Sequence, residues 1–364
     1  MLIPRIDKSS PLPRHYQARQ LLEKMIDEGR WRIGDKLPAE IEIAEAMGVS
    51  KMTVNKALAS LVAEGRLMRE VGRGTFVSEP KSVTPHVVAG IIFAVEMPIE
   101  SNYYNAPLVQ AIQDEALESC VDVSFNIFFG ADYLKLARER GLNALVIVAP
   151  HEGSLSALEA LREEQVPFVL LGGSVPIHVP CVDSDNHSAA KQAAEYFISL
   201  GHRRLALVHA PPVQSNTVDR IEAFGAAVGR YGLSAQKVCI SSTSTEMGLD
   251  QSEHHLLCDM LLGSSRPTAV FAGGYHLALK VMKVAGELGL DIPSDLSLIG
   301  FDDPGAAVLL HPSLTTFRQP LYAMGRLATN LLISALKESM AVNDIKEVLP
   351  CEFVIRGSCQ PLNG

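Results

Sequence analysis

Between Leu37 and Val77 the chain reads LPAEIEIAEAMGVSKMTVNKALASLVAEGRLMREVGRGTFV: two short amphipathic stretches, a tight turn and a glycine-tipped strand pair. Pro38 presets φ at the first turn of a helix, Ile41, Ala44 and Met47 keep helical spacing, and Gly48 ends it where a residue without Cβ is least strained. Ser50 is placed to cap a second helix. There Val54, Leu58, Leu61 and Val62 fall at i, i+4, i+7 and i+8, one stripe that must face inward. Ser50, Lys51, Met52, Thr53, Asn55 and Lys56 stay off that stripe, and at the first helical turn free backbone N–H groups and a cation can both address phosphate. Gly65 closes the helix, and from Arg66 the chain runs into a hairpin that turns at Gly72-Arg73-Gly74. The order predicts a winged helix-turn-helix, with those six residues and Gly72, Arg73 and Gly74 as candidate contacts to double-stranded DNA.

The net charge of −9 opposes nucleic-acid binding as an average, but it is unevenly spread. Residues 1–80 carry 13 Lys/Arg against 11 Asp/Glu, and the remainder 19 against 30; from Lys51 to Arg73 the count is five basic to two acidic. Positive charge is thus concentrated on the second helix and the wing. At 364 residues the chain has room for two or three domains. Its longest apolar run, Val87 to Val95, is about half a membrane span, so no membrane segment is expected. The opening MLIPRIDKSSPLPRHY has neither a long apolar core nor a small-residue cleavage site, so a cytoplasmic location is expected.

Six cysteines lack any C-x-x-C spacing, and His254-His255, being adjacent, cannot share a helical face, so no metal site is expected. Neither a phosphate-binding G-x-x-x-x-G-K-[ST] loop, nor a G-x-S-x-G elbow, nor H-E-x-x-H occurs, so no catalytic residue and no cofactor is expected.

After Val77 the stretch SEPKSVTPH reads as a linker. From Val87 apolar runs of strand length alternate with helical stretches: Val87–Val95, helix near Asn105–Cys120, Val121–Phe128, helix near Tyr133–Arg140, Ala144–Ala149, helix near Ser154–Glu164, Val166–Leu171. The alternation resumes with helices near Ser188–Leu200 and Thr217–Tyr231 and strands at Arg204–His209, near Val238, Ala269–Ala272 and Leu296–Gly300. Such alternation predicts an α/β fold of two doubly wound lobes with parallel sheets, whose ligand lies beyond the carboxyl ends of the strands.

The amino-terminal segment closely resembles the DNA-binding domain of the GntR family of bacterial repressors, through Pro11-Leu12, Leu37-Pro38-Ala39-Glu40, Thr53-Val54, Ala57-Leu58 and Gly72 to Val77. It departs from that pattern at Asn55, where the family usually has arginine, and at Lys51, where it often does. Residues 86–360 resemble the effector core of the LacI/GalR repressors, related to periplasmic sugar receptors. The matching stretches are Asp185-Asn186, Leu200 to Arg204, Arg220 with Phe224, Gly289 with Pro293, Gly300 to Asp303 and Leu314 to Pro320. Asp185 and Asn186 also read as helix caps.

These resemblances imply a type I periplasmic-binding-protein-like core and three crossings between lobes, near residues 184, 317 and 345. The expected domains are 1–78, a linker at 79–86, and 87–364, with lobe I at about 87–183 and 319–342 and lobe II at about 184–317 and 346–360. Arg220, Asp302 and Gln319 match positions that commonly hold an effector. Two expected polar side chains are replaced by Gly172-Gly173 and Gly274-Tyr275, and Tyr104, Asn105 and Tyr275 are candidate substitutes. The whole implies a homodimeric repressor, similar in architecture to the arabinose repressors, released from a palindromic operator by a sugar or similar small polar metabolite. The rival readings are a sugar-processing enzyme and a ligand receptor, either with an accessory DNA-binding domain.

Overall fold

A computed structural model describes residues 3–6, 13–63, 65–70, 72–78, 87–93, 102–119, 123–130, 132–241, 249–338 and 345–362. The linker expected at 79–86, Pro11-Leu12 and Val71 lie outside the described residues. The chain divides into two compact units, Met1–Pro85 and His86–Gly364.

In the first unit α1 (Arg14–Asp27), α2 (Glu40–Met47) and α3 (Lys51–Ala63) precede an antiparallel hairpin of β1 (Leu67–Glu70) and β2 (Gly74–Val77). The start of α2 is held by Glu42, whose carboxylate accepts the Ala39 N–H at 2.8 Å, so Pro38 stands just before the cap and not inside the first turn. Gly48 ends α2 at φ +70°, a left-handed conformation that costs glycine little. Ser50 Oγ then accepts the Thr53 N–H at 3.2 Å and starts α3. Val54, Leu58 and Leu61 are buried with Leu22, Met25, Leu67 and Val77. On α2 the inward residues are Ile43, Ala44 and Met47. Ile41 lies off that stripe and is exposed, which corrects its expected place in it.

The second unit opens with lobe I: β3 (Val87–Phe93), α4 (Asn102–Glu118), β4 (Val123–Phe129), α5 (Tyr133–Arg140), β5 (Ala144–Val148), α6 (Leu155–Glu163), β6 (Phe168–Leu171) and β7 (Cys181–Ser184). Lobe II follows with α7 (Asn186–Ser199), β8 (Leu205–His209), α8 (Ser215–Gly229), β9 (Ala235–Cys239), α9 (Gln251–Leu262), β10 (Ala269–Ala272), α10 (Tyr275–Glu287) and β11 (Ser297–Ile299). The chain closes with β12 (Thr316–Arg318), α11 (Leu321–Glu338), β13 (Lys346–Leu349) and β14 (Glu352–Val354).

Both main sheets are parallel, in the orders β13-β7-β6-β5-β3-β4 and β11-β10-β8-β9. Each reverses its strand order once, between β3 and β5 and between β8 and β10, and such reversals open a crevice beyond the strand ends. Strands such as β5, ALVIV, are buried at every residue because helices cover both faces of the sheet. The last helix, α11, packs on α4 and returns the chain to lobe I.

One boundary differs from expectation. Lys346–Leu349 pairs in parallel with β7 as an edge strand of the lobe I sheet, so it belongs to lobe I and the third crossing falls at Pro350-Cys351. Lys346 and Glu347 are exposed there, and charge suits an edge that no further strand should extend. The second crossing is tied to the third by antiparallel pairing of β12 with β14.

Candidate effector cleft and DNA-reading face

The residues at the carboxyl ends of the two parallel sheets face one another. On α8, Thr217, Arg220 and Phe224 turn inward, and Arg220 is buried with its guanidinium carbon 4.3 Å from the centre of the Phe301 ring. Its Nη1 donates to Asn186 Oδ1 at 2.7 Å, while its Nε is buried with no hydrogen-bond partner among the described residues. Burial works against the guanidinium charge and lowers its pKa, with Asp302 and Asp183 opposing. Asn186 is therefore not the cap of α7. Asp185 is, accepting the Ser188 N–H at 2.8 Å. Asn186 instead donates to the Ser184 carbonyl at 2.9 Å, which turns its oxygen toward Arg220. Beside it, burial pushes the Asp183 carboxyl up to about 6.

Asp302 follows β11 with φ +72°, a left-handed conformation that aspartate tolerates better than most residues. Gln319 Nε2 donates to Asp302 Oδ1 at 2.5 Å, and Gln319 Oε1 accepts from Ser184 Oγ at 2.7 Å. Gln319 thus joins the end of β7 in lobe I to the turn after β11 in lobe II. Burial raises the Asp302 pKa, opposed by Gln319, Arg220 and the Tyr103 hydroxyl bonded to it. Asp303 has a different task. Its carboxylate binds Arg356 Nη1 at 2.7 Å and Arg318 Nη2 at 2.7 Å, locking the crossing strands.

The expected start of α4 at Asn105 shifts to Asn102, which places Tyr103, Tyr104 and Asn105 together in its first turns. The Tyr104 hydroxyl fills the space where a Cβ on Gly172 would stand, and Gly172 itself has φ +73°. Asn105 Oδ1 is buried, with no hydrogen-bond partner among the described residues. Tyr275 opens α10 and meets the Tyr103 ring edge-on at 5.7 Å. Tyr103 packs against the cores of both lobes. Further bonds between the lobes run from Asn216 Nδ2 to the Gly172 carbonyl at 3.1 Å and from the Ser174 N–H to Ser215 Oγ at 2.8 Å.

Six candidates read from the sequence, Tyr104, Asn105, Arg220, Tyr275, Asp302 and Gln319, therefore lie on segments near the carboxyl ends of the two sheets, where hydrogen bonds and ring contacts join the lobes. Tyr103, Asp183 and Ser184 join them without having been singled out, and Asn186 and Phe301 join them from matching stretches that were not assigned to the site. The polar run Asp183 to Asn186 at a strand end was the available signal. Among the described residues no group of three or more His, Cys, Asp or Glu is placed to hold a metal ion, and no helix is long and apolar enough to cross a membrane.

On the first unit, Lys51, Met52 and Lys56 are exposed along α3, and Thr53 and Asn55 are half-buried. Ser50 Oγ is engaged by its cap and by the Thr53 hydroxyl at 2.8 Å. Asn55 Nδ2 donates to Glu40 Oε1 at 2.9 Å, and Arg69 Nη2 donates to the same oxygen at 2.7 Å. At the hairpin tip, Gly72 and Gly74 take φ +77° and +127°, and Arg73 pairs with Glu70.

Residues 15–77 match the family of bacterial regulatory proteins named gntR, and residues 194–359 match a periplasmic binding protein-like domain. The chain is a GntR-type helix-turn-helix joined to a periplasmic-binding-protein-like domain. That composite is a ligand-responsive, DNA-binding transcriptional regulator. It is similar to the arabinose metabolism transcriptional repressor of Geobacillus stearothermophilus, with 26% identity across 98% of this chain and all of that one. It is also similar to the HTH-type transcriptional regulator DegA of Bacillus subtilis, with 27% identity across 88% of this chain and 98% of that one. Among solved structures, a LacI family transcriptional regulator from Enterococcus faecium with bound ribose shares the fold at a TM-score of 0.64, with 23% identity over 76% of this chain and the whole of its own. In this regulator the gntR match contains the full candidate DNA face, and the periplasmic-binding match contains Arg220, Tyr275, Asp302 and Gln319.

Proposed function

We propose that this regulator is a cytoplasmic homodimeric repressor whose crevice binds a sugar or similar small polar metabolite, and that binding weakens its hold on a palindromic operator. The observation that carries the proposal is a pair of buried polar atoms, Arg220 Nε and Asn105 Oδ1, that have no hydrogen-bond partner among the described residues. An unsatisfied buried donor or acceptor costs about 1–3 kcal/mol, which a ligand can recover. One donor and one acceptor, flanked by Asp302, Gln319 and tyrosine rings, match hydroxyl groups that both donate and accept and a ring face that stacks.

Because the groups come from both lobes, the ligand binds one lobe arrangement better than another, and only such a difference in affinity shifts a conformational equilibrium. A two-fold dimer presents two copies of α3 at a spacing set by its core, which fits a palindrome. Ser50, Lys51, Met52, Thr53, Asn55, Lys56, Gly72, Arg73 and Gly74 form the DNA face, and Tyr104, Asn105, Arg220, Tyr275, Asp302 and Gln319 the effector site. The test is thermal unfolding of the full chain with L-arabinose, D-ribose and cellobiose, since selective binding to the folded state raises Tm. A shift that Arg220→Ala abolishes is the expected result. A shift unchanged by that substitution contradicts the site.

A further inference from the structure

One oxygen of Glu40, in the first turn of α2, holds two donors from two other elements: Asn55 Nδ2 on α3 at 2.9 Å and Arg69 Nη2 on β1 at 2.7 Å. We propose that Arg69 is a base-reading residue of the DNA face, and that Glu40 is the positioning residue that fixes Arg69 and Asn55 as one unit. The inference rests on the assignment of α3 and the hairpin to DNA.

The geometry favours a reader over a stabilising ion pair. The Arg69 and Glu40 side chains are 39% and 22% exposed, and a pair so open to water adds at most about 1 kcal/mol to stability. A carboxylate beside a surface that meets phosphate is repelled by it, and Arg69 offsets that charge. A guanidinium has five N–H donors and an amide has two, so the bonds to Glu40 leave each side chain with further donors and, for Asn55, its acceptor oxygen. Arginine with guanine and asparagine with adenine are the two bidentate matches in the major groove. Arg69 enters from the strand that leads to the wing and Asn55 from the helix, so the two address neighbouring base pairs. By contrast Arg73, at the hairpin tip, is paired with Glu70 of its own hairpin.

The experiment is selection from a randomised duplex library by the full-length protein and by Arg69→Ala, Arg69→Lys and Glu40→Gln variants, each first checked for a wild-type thermal transition. Lysine keeps the charge without the fork. Wild type is expected to enrich a two-fold symmetric sequence. Both Arg69 variants should lose about tenfold preference at one base pair per half-site and keep the rest. Glu40→Gln should relax that position and its neighbour. An Arg69 variant that weakens binding to all sequences equally, or enriches the wild-type sequence unchanged, overturns the reading role. An unchanged Glu40→Gln sequence overturns the positioning role. If wild type enriches nothing, the DNA assignment itself fails, a result distinct from either.

Discussion

The phenol oxygen of Tyr104 lies too close to the point where a side chain on Gly172 would begin for a Cβ to fit there, so a residue at the start of α4 and a residue at the end of β6 are matched in size. Gly172→Ala adds a Cβ into that oxygen and also strains a backbone held at φ +73°. The expected loss is on the order of 2–4 kcal/mol, combining overpacking and left-handed strain. Tyr104→Phe removes the clashing atom and should recover the overpacking part in the double variant, leaving the strain. Denaturant midpoints of the four proteins measure this coupling, and strictly additive losses would show that the two residues are not matched.

Arg220 has one guanidinium nitrogen fixed by Asn186 and another that is buried with no hydrogen-bond partner among the described residues. Arg220→Lys keeps a charge but not a fork, so it should weaken sugar binding at least tenfold while duplex binding without sugar stays within about twofold of wild type. Calorimetric titration and duplex anisotropy report the two quantities separately.

Asp183 predicts a pH dependence. Its folded carboxyl is raised to about 6 by burial, above the ordinary value near 3.9 for an unfolded chain. The folded state therefore binds the proton more tightly, and stability falls as pH rises from about 4 to about 6. Asp183→Asn should flatten that slope and leave the variant more stable than wild type at pH 7, by up to about 3 kcal/mol. Asp302 and Asp219 are raised also and Asp303 is lowered, so the difference between variant and wild type across pH 4–8 is the quantity to measure.

Asp303 should act in the opposite sense. Burial pushes its carboxyl up, but bonds from Arg356 and Arg318 outweigh this and hold it below its usual value. Its stabilisation is thus present above about pH 4 and is lost as pH falls through the lowered value. Asp303→Ala leaves Arg356, 14% exposed, without its carboxylate, and the expected loss is about 3 kcal/mol by urea unfolding. Arg318→Ala, at a half-exposed side chain, should cost under about 1 kcal/mol.

On the DNA face, Lys56→Ala should lower the slope of log affinity against log salt by about one unit. Arg73→Ala should lower it by less, because Glu70 already offsets part of that charge. Equal slopes for wild type and Lys56→Ala would remove Lys56 from the phosphate contacts.

The alternation of β and α elements was legible because strands buried on both faces, such as Ala144–Val148, are continuous apolar runs. Strands near Val238, at Ala269–Ala272 and at Leu296–Gly300 are readable, yet the helices α9 and α10 between them are not, although parallel pairing demands a crossover. β7 escapes notice because it ends in Asp183-Ser184, and β13 because half of it is Lys-Glu; the third crossing is misplaced as a result. In the crevice, Arg220, Asp302 and Gln319 follow from resemblance. Tyr103 does not, and Asn186, although in a matching stretch, reads as a helix cap, since the roles of both exist only through Arg220 and Asp302, which are distant in the chain.

The most direct test is the affinity of the full-length regulator for its selected duplex, measured by anisotropy with and without the sugar that raises its Tm. Saturating sugar should weaken that affinity at least tenfold, a coupling of about 1.4 kcal/mol. An unchanged dissociation constant while the sugar is demonstrably bound would contradict the link between crevice and DNA face.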